Sequence, residues 1–330
     1  MRVLTNTTKI VRLLGDYANV DYVQTRRLKD MLTKASGDYY DIIYFAKYVP
    51  PLIDFTRGIK TKSRLVVGMH VPIKIEHVNR PHHVVQNIIM PLQVMFYLRR
   101  LNAYIHVLNK DDEHYLTRII VDRKVAFYLP LGTDTELFKP LSKFDIFTVM
   151  YSARASWQKG TDIAVKVLKT LVKKFNDKLQ VKIVSYGPLT HLYRQLMGYG
   201  DVEILDYLPA NEYAQLLGKS HALLFTSRYE SFAQLPLDSL AAGTPVVSFD
   251  VRGFVRDVLK RDVVLSKYVV DFGNTKLLID RIVELLNYWY NNEGKYQNLI
   301  KHSRSLAENF SMKKLTNTYL EMFKSILMRQ

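Results

Sequence analysis

The stretch Leu223–Phe249, LLFTSRYESFAQLPLDSLAAGTPVVSF, carries the strongest structural signal in the sequence. A short apolar run ends near Thr226, and a polar loop follows it. Pro236 suits the first position of a helix, and Gly243 suits the left-handed residue that ends one. Pro245 then opens a second apolar run. The stretch therefore predicts a strand, a loop, a helix and a second strand, which is the repeating unit of an α/β sheet.

The same alternation extends over most of the chain. Short apolar runs, rich in β-branched and aromatic residues and bounded by turn residues, predict buried strands. The runs are Ile42–Phe45, Leu65–Met69, Tyr104–Leu108, Val125–Leu129, Phe147–Tyr151, Val181–Ser185, Val202–Leu205, Leu223–Thr226 and Pro245–Phe249. Segments between them have apolar residues at helical spacing, as in Ala164–Phe175. We expect parallel sheets covered by helices.

The chain length and one interruption of the periodic pattern predict two domains. A chain of 330 residues suits two domains of about 150 residues each. Residues 130–140 lack helical periodicity, and a new strand begins after them, so we place the boundary between residues 141 and 142. Ser311 is a good N-cap for a last helix, which continues to the C-terminus.

The composition excludes several classes of protein. The chain has no cysteine, which rules out disulfides, zinc ribbons and thiol catalysis. It has no apolar run of about 18 residues and no start typical of a signal peptide, so we expect a cytoplasmic protein. The net charge of +16 is shared by both halves and favours anionic partners, such as nucleotide phosphates, anionic lipids or nucleic acid.

The apolar segment Val84–Leu101 has two interpretations. A buried helix kinked at Pro91 is the favoured one. The alternative is an apolar face, flanked by Arg99 and Arg100, that meets a membrane surface or a lipid-linked acceptor.

The segment Val149–Thr161, VMYSARASWQKGT, predicts a strand, a loop and a helix with Thr161 as N-cap. Ligands of open α/β sheets collect at the carboxyl ends of strands, where helix N-termini add positive charge. Arg154 and Lys159 in this loop could hold a diphosphate and stabilise it as a leaving group. Taken alone, two such cations are more often solvated surface residues.

Two carboxylates, Glu230 and Asp238, stand eight residues apart, or about 12 Å along a helix. That separation suits two contacts along an elongated ligand such as a nucleotide-sugar. Asp238 also fits a simpler role, because an acid in the first turn of a helix favours the helix dipole.

The run that begins at Glu230, E-S-F-A-Q-L-P-L-D-S-L-A-A-G-T-P-V-V, resembles the Glu-x7-Glu signature of the retaining glycosyltransferases of family 4. Other segments resemble further landmarks of that family, in the same order. They are LPLGTDTELFKP (Leu129–Pro140), SARASWQKGTD (Ser152–Asp162), LQVKIVSYGP (Leu179–Pro188) and the run Val202–Phe232. The resemblance covers Val125–Gly253.

The resemblance implies the GT-B fold, with two Rossmann-like domains that face a cleft. Residues 1–141 with 312–330 would form the acceptor-side domain, since the last helix crosses back to it, and residues 142–311 would bind the donor. The expected reaction is metal-independent, retaining transfer from a UDP-, GDP- or ADP-sugar, without a cofactor. The acceptor hydroxyl could belong to a glycan, a lipid-linked sugar, a protein or a small molecule.

Roles in this site are also implied by the resemblance. Arg154 and Lys159 match cations on the donor diphosphate, Glu230 matches an acid near the donor sugar, and Asp238 matches an acid on the ribose. The backbone groups of Ser231, Phe232 and Ala233 would contact the sugar or a phosphate, and Gly187 and Tyr207 would lie near the base. In the other domain, His70 would lie near the sugar, and Gly15 would be a remnant of an N-domain loop.

The sequence departs from the family pattern at three places. Asp238 replaces a glutamate, Ala233 replaces a glycine, and Ala153 stands where a glycine is usual. These departures keep open a non-catalytic nucleotide-sugar-binding protein as an alternative function. The net charge of +16 keeps open a second alternative, a GT-B enzyme that glycosylates nucleic acid. A sugar-nucleotide epimerase of the same fold is disfavoured by the carboxylate segment and the Arg–Lys loop.

Overall fold

The computed structural model describes residues 1–47, 62–77, 81–119 and 126–329. The chain divides into two compact units, Met1–Gly132 with Met312–Gln330, and Thr133–Ser311. Each unit contains a six-stranded parallel sheet. The predicted α/β class with two covered parallel sheets is confirmed.

The elements of the described residues alternate along the chain. The strands are β1 (Arg2–Thr5), β2 (Asn19–Tyr22), β3 (Ile42–Lys47), β4 (Arg64–Met69), β5 (Tyr104–Val107), β6 (Ala126–Tyr128), β7 (Phe147–Ser152), β8 (Leu179–Val184), β9 (Asp201–Leu205), β10 (Ala222–Phe225), β11 (Val246–Phe249) and β12 (Val269–Val270). The helices are α1 (Thr8–Leu14), α2 (Leu28–Gly37), α3 (Pro81–Leu101), α4 (Lys110–Ile119), α5 (Thr161–Phe175), α6 (Ala210–Lys219), α7 (Gln234–Ala241), α8 (Phe254–Asp257), α9 (Thr275–Asn291), α10 (Glu293–Glu308) and α11 (Met312–Leu327).

Each apolar run named above overlaps a strand, and the ends differ by no more than two residues. The prediction missed β1, β2 and β12, which are short or carry polar residues. Val125, the first residue of one predicted run, lies outside the described residues.

The sheet of the first unit has the order β2-β1-β3-β4-β5-β6. Successive side chains of a strand point to opposite faces, so each strand supplies two cores. Ile43 and Phe45 of β3 pack in the cluster on one face, together with residues of α2 and α3. Tyr44 packs on the other face with residues of α1 and α11. The C-terminal helix is therefore part of this unit, and the Thr316 hydroxyl donates to Leu13 O at 2.8 Å.

The sheet of the second unit has the order β12-β11-β10-β7-β8-β9. Strands β8 and β9 follow β7 toward one edge of the sheet, whereas β10, β11 and β12 follow one another from β7 toward the opposite edge. The direction of the strand order therefore reverses between β7 and β10. Such a switch point opens a crevice at the carboxyl ends of the two strands.

Residues 133–141, which the sequence assigns to the first domain, belong to the second unit. The Arg304 guanidinium from α10 donates to the carbonyls of Thr135, Phe138 and Ala241. These bonds join the segment to α7 and α10. A switch in sequence periodicity does not reveal them.

Two helix starts differ from their predicted positions. Gly160, with φ 67°, is the N-cap of α5, so Thr161 is the first helical residue rather than the cap. The Thr161 hydroxyl accepts from Ser156 N at 3.0 Å instead. Helix α7 begins at Gln234, so Pro236 occupies its third position and Asp238 lies beyond its first turn.

Candidate functional site

Two loops meet at the crevice of the second unit. The first loop, residues 153–160, follows β7, and the second loop, residues 226–233, follows β10. The Thr226 hydroxyl lies 3.0 Å from the carbonyl oxygens of both Lys159 and Gly160. A Cβ at position 160 would overlap the carbonyl of Thr226, so this close approach requires glycine.

Arg228 fixes the second loop against the start of α5. Its guanidinium donates two bonds of 2.8 Å to the Asp162 carboxylate and one of 2.6 Å to the Trp157 carbonyl. The same group lies over the Trp157 ring, 4.4 Å from its centroid. Hydrogen bonding to Arg228 lowers the pKa of Asp162 against the opposing effect of burial. A bidentate, stacked arginine of this kind holds both loops in one geometry.

Lys159 and Glu230 form an ion pair between the two loops. The Lys159 Nζ lies 2.5 Å from Glu230 Oε1, and the two side chains are 27% and 11% exposed. The pair spans 71 residues of sequence and exists because β7 and β10 are neighbours in the sheet. The structure therefore joins one predicted diphosphate cation to the first predicted acid.

Arg154 lies at the start of the first loop with an exposed side chain. Its Cγ packs near Gly187, which follows β8 and has φ 130°. A Cβ at position 187 would lie 2.9 Å from Ala155 O, so this glycine allows the loop after β8 to approach the first loop. The structure thus brings Arg154 and Gly187 together.

The Asp238 carboxylate accepts hydrogen bonds from polar side chains of the second unit. Its Oδ1 accepts from the Thr133 hydroxyl at 2.6 Å and from Gln234 Nε2 at 2.9 Å. Thr133 comes from the first residues of this unit, far from Asp238 in sequence. The acid therefore accepts side-chain hydrogen bonds from Thr133 and from Gln234, the first residue of its own helix.

The backbone just before α7 has an unusual conformation and lies close to a neighbouring segment. Ala233, the N-cap of α7, has φ 66° and ψ 66°, a left-handed conformation that favours glycine. Phe232 O accepts from Phe254 N at 2.6 Å, and a Cβ at Gly253 would overlap the Phe232 backbone. Ala233 thus holds a conformation that glycine adopts more easily, and Ser231 immediately precedes Phe232 and Ala233.

Tyr207 lies outside this group of contacts. It follows β9, the edge strand of the sheet, and its side chain is 77% exposed. Its predicted place near a base stays a prediction.

Two predicted residues lie in the first unit. His70 directly follows β4, at the carboxyl edge of that sheet, and its Nε2 lies 3.2 Å from the Tyr44 hydroxyl. Gly15 ends α1 with ordinary right-handed dihedral angles of −52° and −34°. The loop after β1 consists of Asn6 and Thr7, and the role of Gly15 as a remnant of an N-domain loop stays a prediction.

Sequence reasoning missed Arg228, Trp157 and Thr133. Arg228 stands inside the quoted motif, and its position just after a predicted strand was a usable signal. Thr133 carried no signal, because only the fold brings it to α7. Within the described residues, no group of three or more His, Cys, Asp or Glu side chains could hold a metal ion.

The fold and these loops define a GT-B type α/β protein. The sequence pattern of the glycosyl transferases group 1 matches residues 133–306, which is more than half of the chain and contains both loops. The chain belongs to this family. The membership confirms the resemblance to the family 4 glycosyltransferases.

Two curated relatives are the same subunit of phosphatidylinositol N-acetylglucosaminyltransferase from two organisms. The Arabidopsis thaliana protein is 27% identical over 179 residues, which is 52% of this chain and 40% of the relative. The Homo sapiens protein is 24% identical over 170 residues, which is 50% of this chain and 35% of the relative. The matched segments thus span about two fifths of the relatives' length.

Among solved structures, Anabaena HepE in complex with UDP and glucose has a TM-score of 0.74 at 15% identity. The alignment covers 98% of this chain and all of the HepE chain. This likeness supports the fold. In the portion of the chain that the structure describes, no helix is long and apolar enough to span a bilayer.

Proposed function

We propose that this chain transfers a sugar from a nucleotide-sugar to an acceptor hydroxyl, with retention of configuration and without a metal. The observation that carries the proposal is the Lys159–Glu230 pair at the crevice between β7 and β10. It places a cation and an acid where α/β sheets collect ligands, inside the segment that matches the family.

The proposed reaction assigns a role to each part of the second unit. The bond between the anomeric carbon and the diphosphate oxygen breaks, and the electron pair stays on the diphosphate. Arg154 and Lys159 stabilise that developing charge, as preorganised cations do. The acceptor oxygen bonds to the anomeric carbon from the same face, and its proton passes to a phosphate oxygen of the donor.

The other predicted residues would bind the donor. Glu230 and the backbone of Ser231–Ala233 would contact the sugar, and Asp238 would contact the ribose. Gly187 and Tyr207 would lie near the base. UDP is the first nucleotide to test, because the HepE structure holds UDP. GDP and ADP complete the set.

A calorimetric titration of the purified chain with UDP, GDP and ADP tests the donor site. We expect one nucleotide to bind and Arg154→Ala to weaken it about tenfold or more, since it removes a charge-assisted contact. Arg194→Ala is the matched control, because Arg194 is also exposed and lies outside both loops. Binding unaffected by Arg154→Ala would contradict the assigned site.

Turnover distinguishes an enzyme from a binding protein. Proton NMR of the product reports whether the anomeric configuration is retained, and an excess of EDTA reports whether a metal is needed. A folded chain that binds the nucleotide but yields no product with any donor sugar and any acceptor class would support the non-catalytic alternative.

We also infer a peripheral contact of α3 with an anionic lipid surface. Helix α3 is continuous through Pro91, and Met90 and Val94 are buried in the core. The opposite apolar side chains are half or more exposed: Val84 50%, Val85 51%, Ile88 59% and Leu92 64%. Arg99 and Arg100 are exposed at its C-terminal end. An apolar stripe with flanking cations is typical of helices that lie in a membrane interface.

Vesicle sedimentation tests this contact. We expect binding to phosphatidylcholine vesicles that contain anionic lipid, and loss of binding in the double variant Ile88→Ser, Leu92→Ser. Val263→Ser is the control, because Val263 is 92% exposed on the other unit. Equal sedimentation of all three proteins would contradict the inference. The names of the two curated relatives, which include phosphatidylinositol, make a lipid-linked acceptor the first acceptor class to assay.

A further inference from the structure

A chain of hydrogen bonds runs through the first unit behind His70. The Tyr44 hydroxyl lies 3.2 Å from His70 Nε2 and 2.6 Å from His106 Nδ1. The other nitrogen of His106, Nε2, lies 2.9 Å from Leu129 O. His106 and the Tyr44 side chain are buried, whereas His70 is partly exposed at the carboxyl edge of the sheet.

The sheet brings these groups together across three strands. Tyr44 lies on β3 and His106 on β5, and between them β4 presents Gly68 opposite His106. A Cβ at position 68 would overlap the Tyr44 hydroxyl and lie 2.7 Å from Tyr44 Cζ. The missing side chain therefore leaves the space through which the Tyr44 ring reaches His106.

The direction of each hydrogen bond follows from the carbonyl of Leu129. A carbonyl oxygen can only accept, so His106 Nε2 carries the proton of that bond. Burial lowers the pKa of His106 to about 4, so at neutral pH the ring has a single N–H. His106 Nδ1 is therefore an acceptor, and the Tyr44 hydroxyl donates to it.

Tyr319 is compatible with this arrangement. Its hydroxyl donates to Pro130 O at 3.2 Å, and it lies 3.5 Å from His106 Nε2. Since the Tyr319 proton is directed to Pro130, its oxygen offers a second, weaker acceptor to the same N–H. It does not reverse the direction of the chain.

The Tyr44 hydroxyl therefore donates its one proton to His106 Nδ1. In its contact with His70 the Tyr44 oxygen can only accept, so His70 Nε2 carries a proton and donates it. We propose that Tyr44 and His106 are positioning residues that lock His70 in the Nε2–H tautomer. The lone pair of His70 is then on Nδ1, where it accepts a hydrogen bond from a hydroxyl of the substrate. Burial keeps the pKa of His70 well below its ordinary value, and the nearby charge of Lys9 lowers it further, so the ring stays neutral.

The backbone after His70 is also held in place. Ile73 N donates to Asp112 Oδ2 at 3.1 Å, and Ile75 N donates to Asn87 Oδ1 at 2.6 Å. These bonds hold the backbone segment that follows β4. The contact with Tyr44 sets the tautomer of His70, and the held backbone restrains the position of its imidazole before any ligand binds. This is the outer support that a binding group needs for a fixed geometry.

Nitrogen-15 NMR of the whole chain with labelled histidine tests the tautomer directly. Long-range proton–nitrogen correlations distinguish a protonated Nε2 from a protonated Nδ1. We expect the Nε2–H form alone for His70, a mixture of both forms in Tyr44→Phe, and no change in Tyr319→Phe. The two variants remove the same atom from the same network. An Nδ1–H form in the unmodified protein, or an unchanged His70 in folded Tyr44→Phe, would overturn the proposal.

Gly68→Ala is a second perturbation that keeps every hydroxyl. We expect it to displace the Tyr44 ring and to release the His70 tautomer as Tyr44→Phe does, with folding checked by the amide spectrum. A locked Nε2–H form in this variant would count against the role of Tyr44, because its ring cannot stay in place beside a Cβ.

The catalytic consequence rests on the proposed function. We expect Tyr44→Phe to lower kcat/KM by about tenfold, the effect of one misdirected hydrogen bond, while Tyr319→Phe leaves it nearly unchanged. Nucleotide affinity, which depends on the second unit, should stay the same in both. If no donor supports turnover, the proposed function fails while the NMR result still decides the tautomer. If turnover occurs and both variants lose it equally, the positioning role is wrong.

Discussion

Lys159 and Glu230 should depend on each other for stability as well as for function. The Glu230 side chain is 11% exposed and that of Lys159 is 27% exposed. Lys159→Met keeps most of the aliphatic stem and removes the ammonium from a poorly solvated carboxylate. Breaking a fully buried pair on one side costs about 3–5 kcal/mol, and breaking an exposed pair about 0.2–1 kcal/mol. With this intermediate burial we expect a loss of about 2 kcal/mol.

A double-mutant cycle isolates the pair. In Lys159→Met, Glu230→Gln no charge is left unpaired, so we expect the double variant to recover about 1 kcal/mol of the summed single losses. Urea unfolding followed by circular dichroism gives each value, provided that the slope stays constant. Arg27→Met is the matched control, because Arg27 pairs with Asp30 while 75% exposed and should cost under about 0.5 kcal/mol.

Nucleotide binding then separates the two roles of Lys159. We expect calorimetry to show weak nucleotide binding in Lys159→Met and equally weak binding in the double variant, because neutralising Glu230 does not restore a cation for the diphosphate. A coupling energy below about 0.3 kcal/mol would refute the stability argument. Full binding by the double variant would refute the phosphate role.

Three further substitutions, all in the second unit, should change the stability of the protein. Ala233→Gly should raise the free energy of unfolding by about 1 kcal/mol, since it relieves a left-handed alanine at φ 66°, and a lower melting temperature would contradict this. Lys143→Met should cost about 3 kcal/mol. The Lys143 Nζ lies 2.7–3.0 Å from three carbonyl oxygens and the Thr244 hydroxyl, and its three N–H donors are shared among these four acceptors. Each of the three N–H groups contributes about 1 kcal/mol, and a urea midpoint close to that of the unmodified chain would be the contrary result. Burial, with the nearby charge of Lys143, lowers the pKa of His221 to about 3. The unfolded chain therefore binds this proton first, and stability should fall by up to about 1.4 kcal/mol per pH unit from about pH 6.5 toward 3. His221→Asn should flatten that slope in acid-unfolding curves, and an unchanged slope would exclude His221 as its source.

The sequence alone determined the local units of this protein. The alternation of apolar runs and helical stripes predicted strands in both sheets, because side-chain periodicity reports which faces are buried. Lys159, Glu230 and Asp238 were also predicted as site residues from the sequence, because each stands in a short motif that can be read locally. Pro236 misled the prediction of a helix start, because the left-handed conformation of Ala233 begins α7 before it.

Only the tertiary structure decided which local units meet. The placement of β10 beside β7 joins Lys159 to Glu230 across 71 residues, and the order of β3, β4 and β5 joins Tyr44 to His106 across 62. Strand order is set by the packing of whole helices and sheets, and no short window of sequence contains it. The predicted residues therefore acquired partners, proton directions and restraints only when the chain had folded.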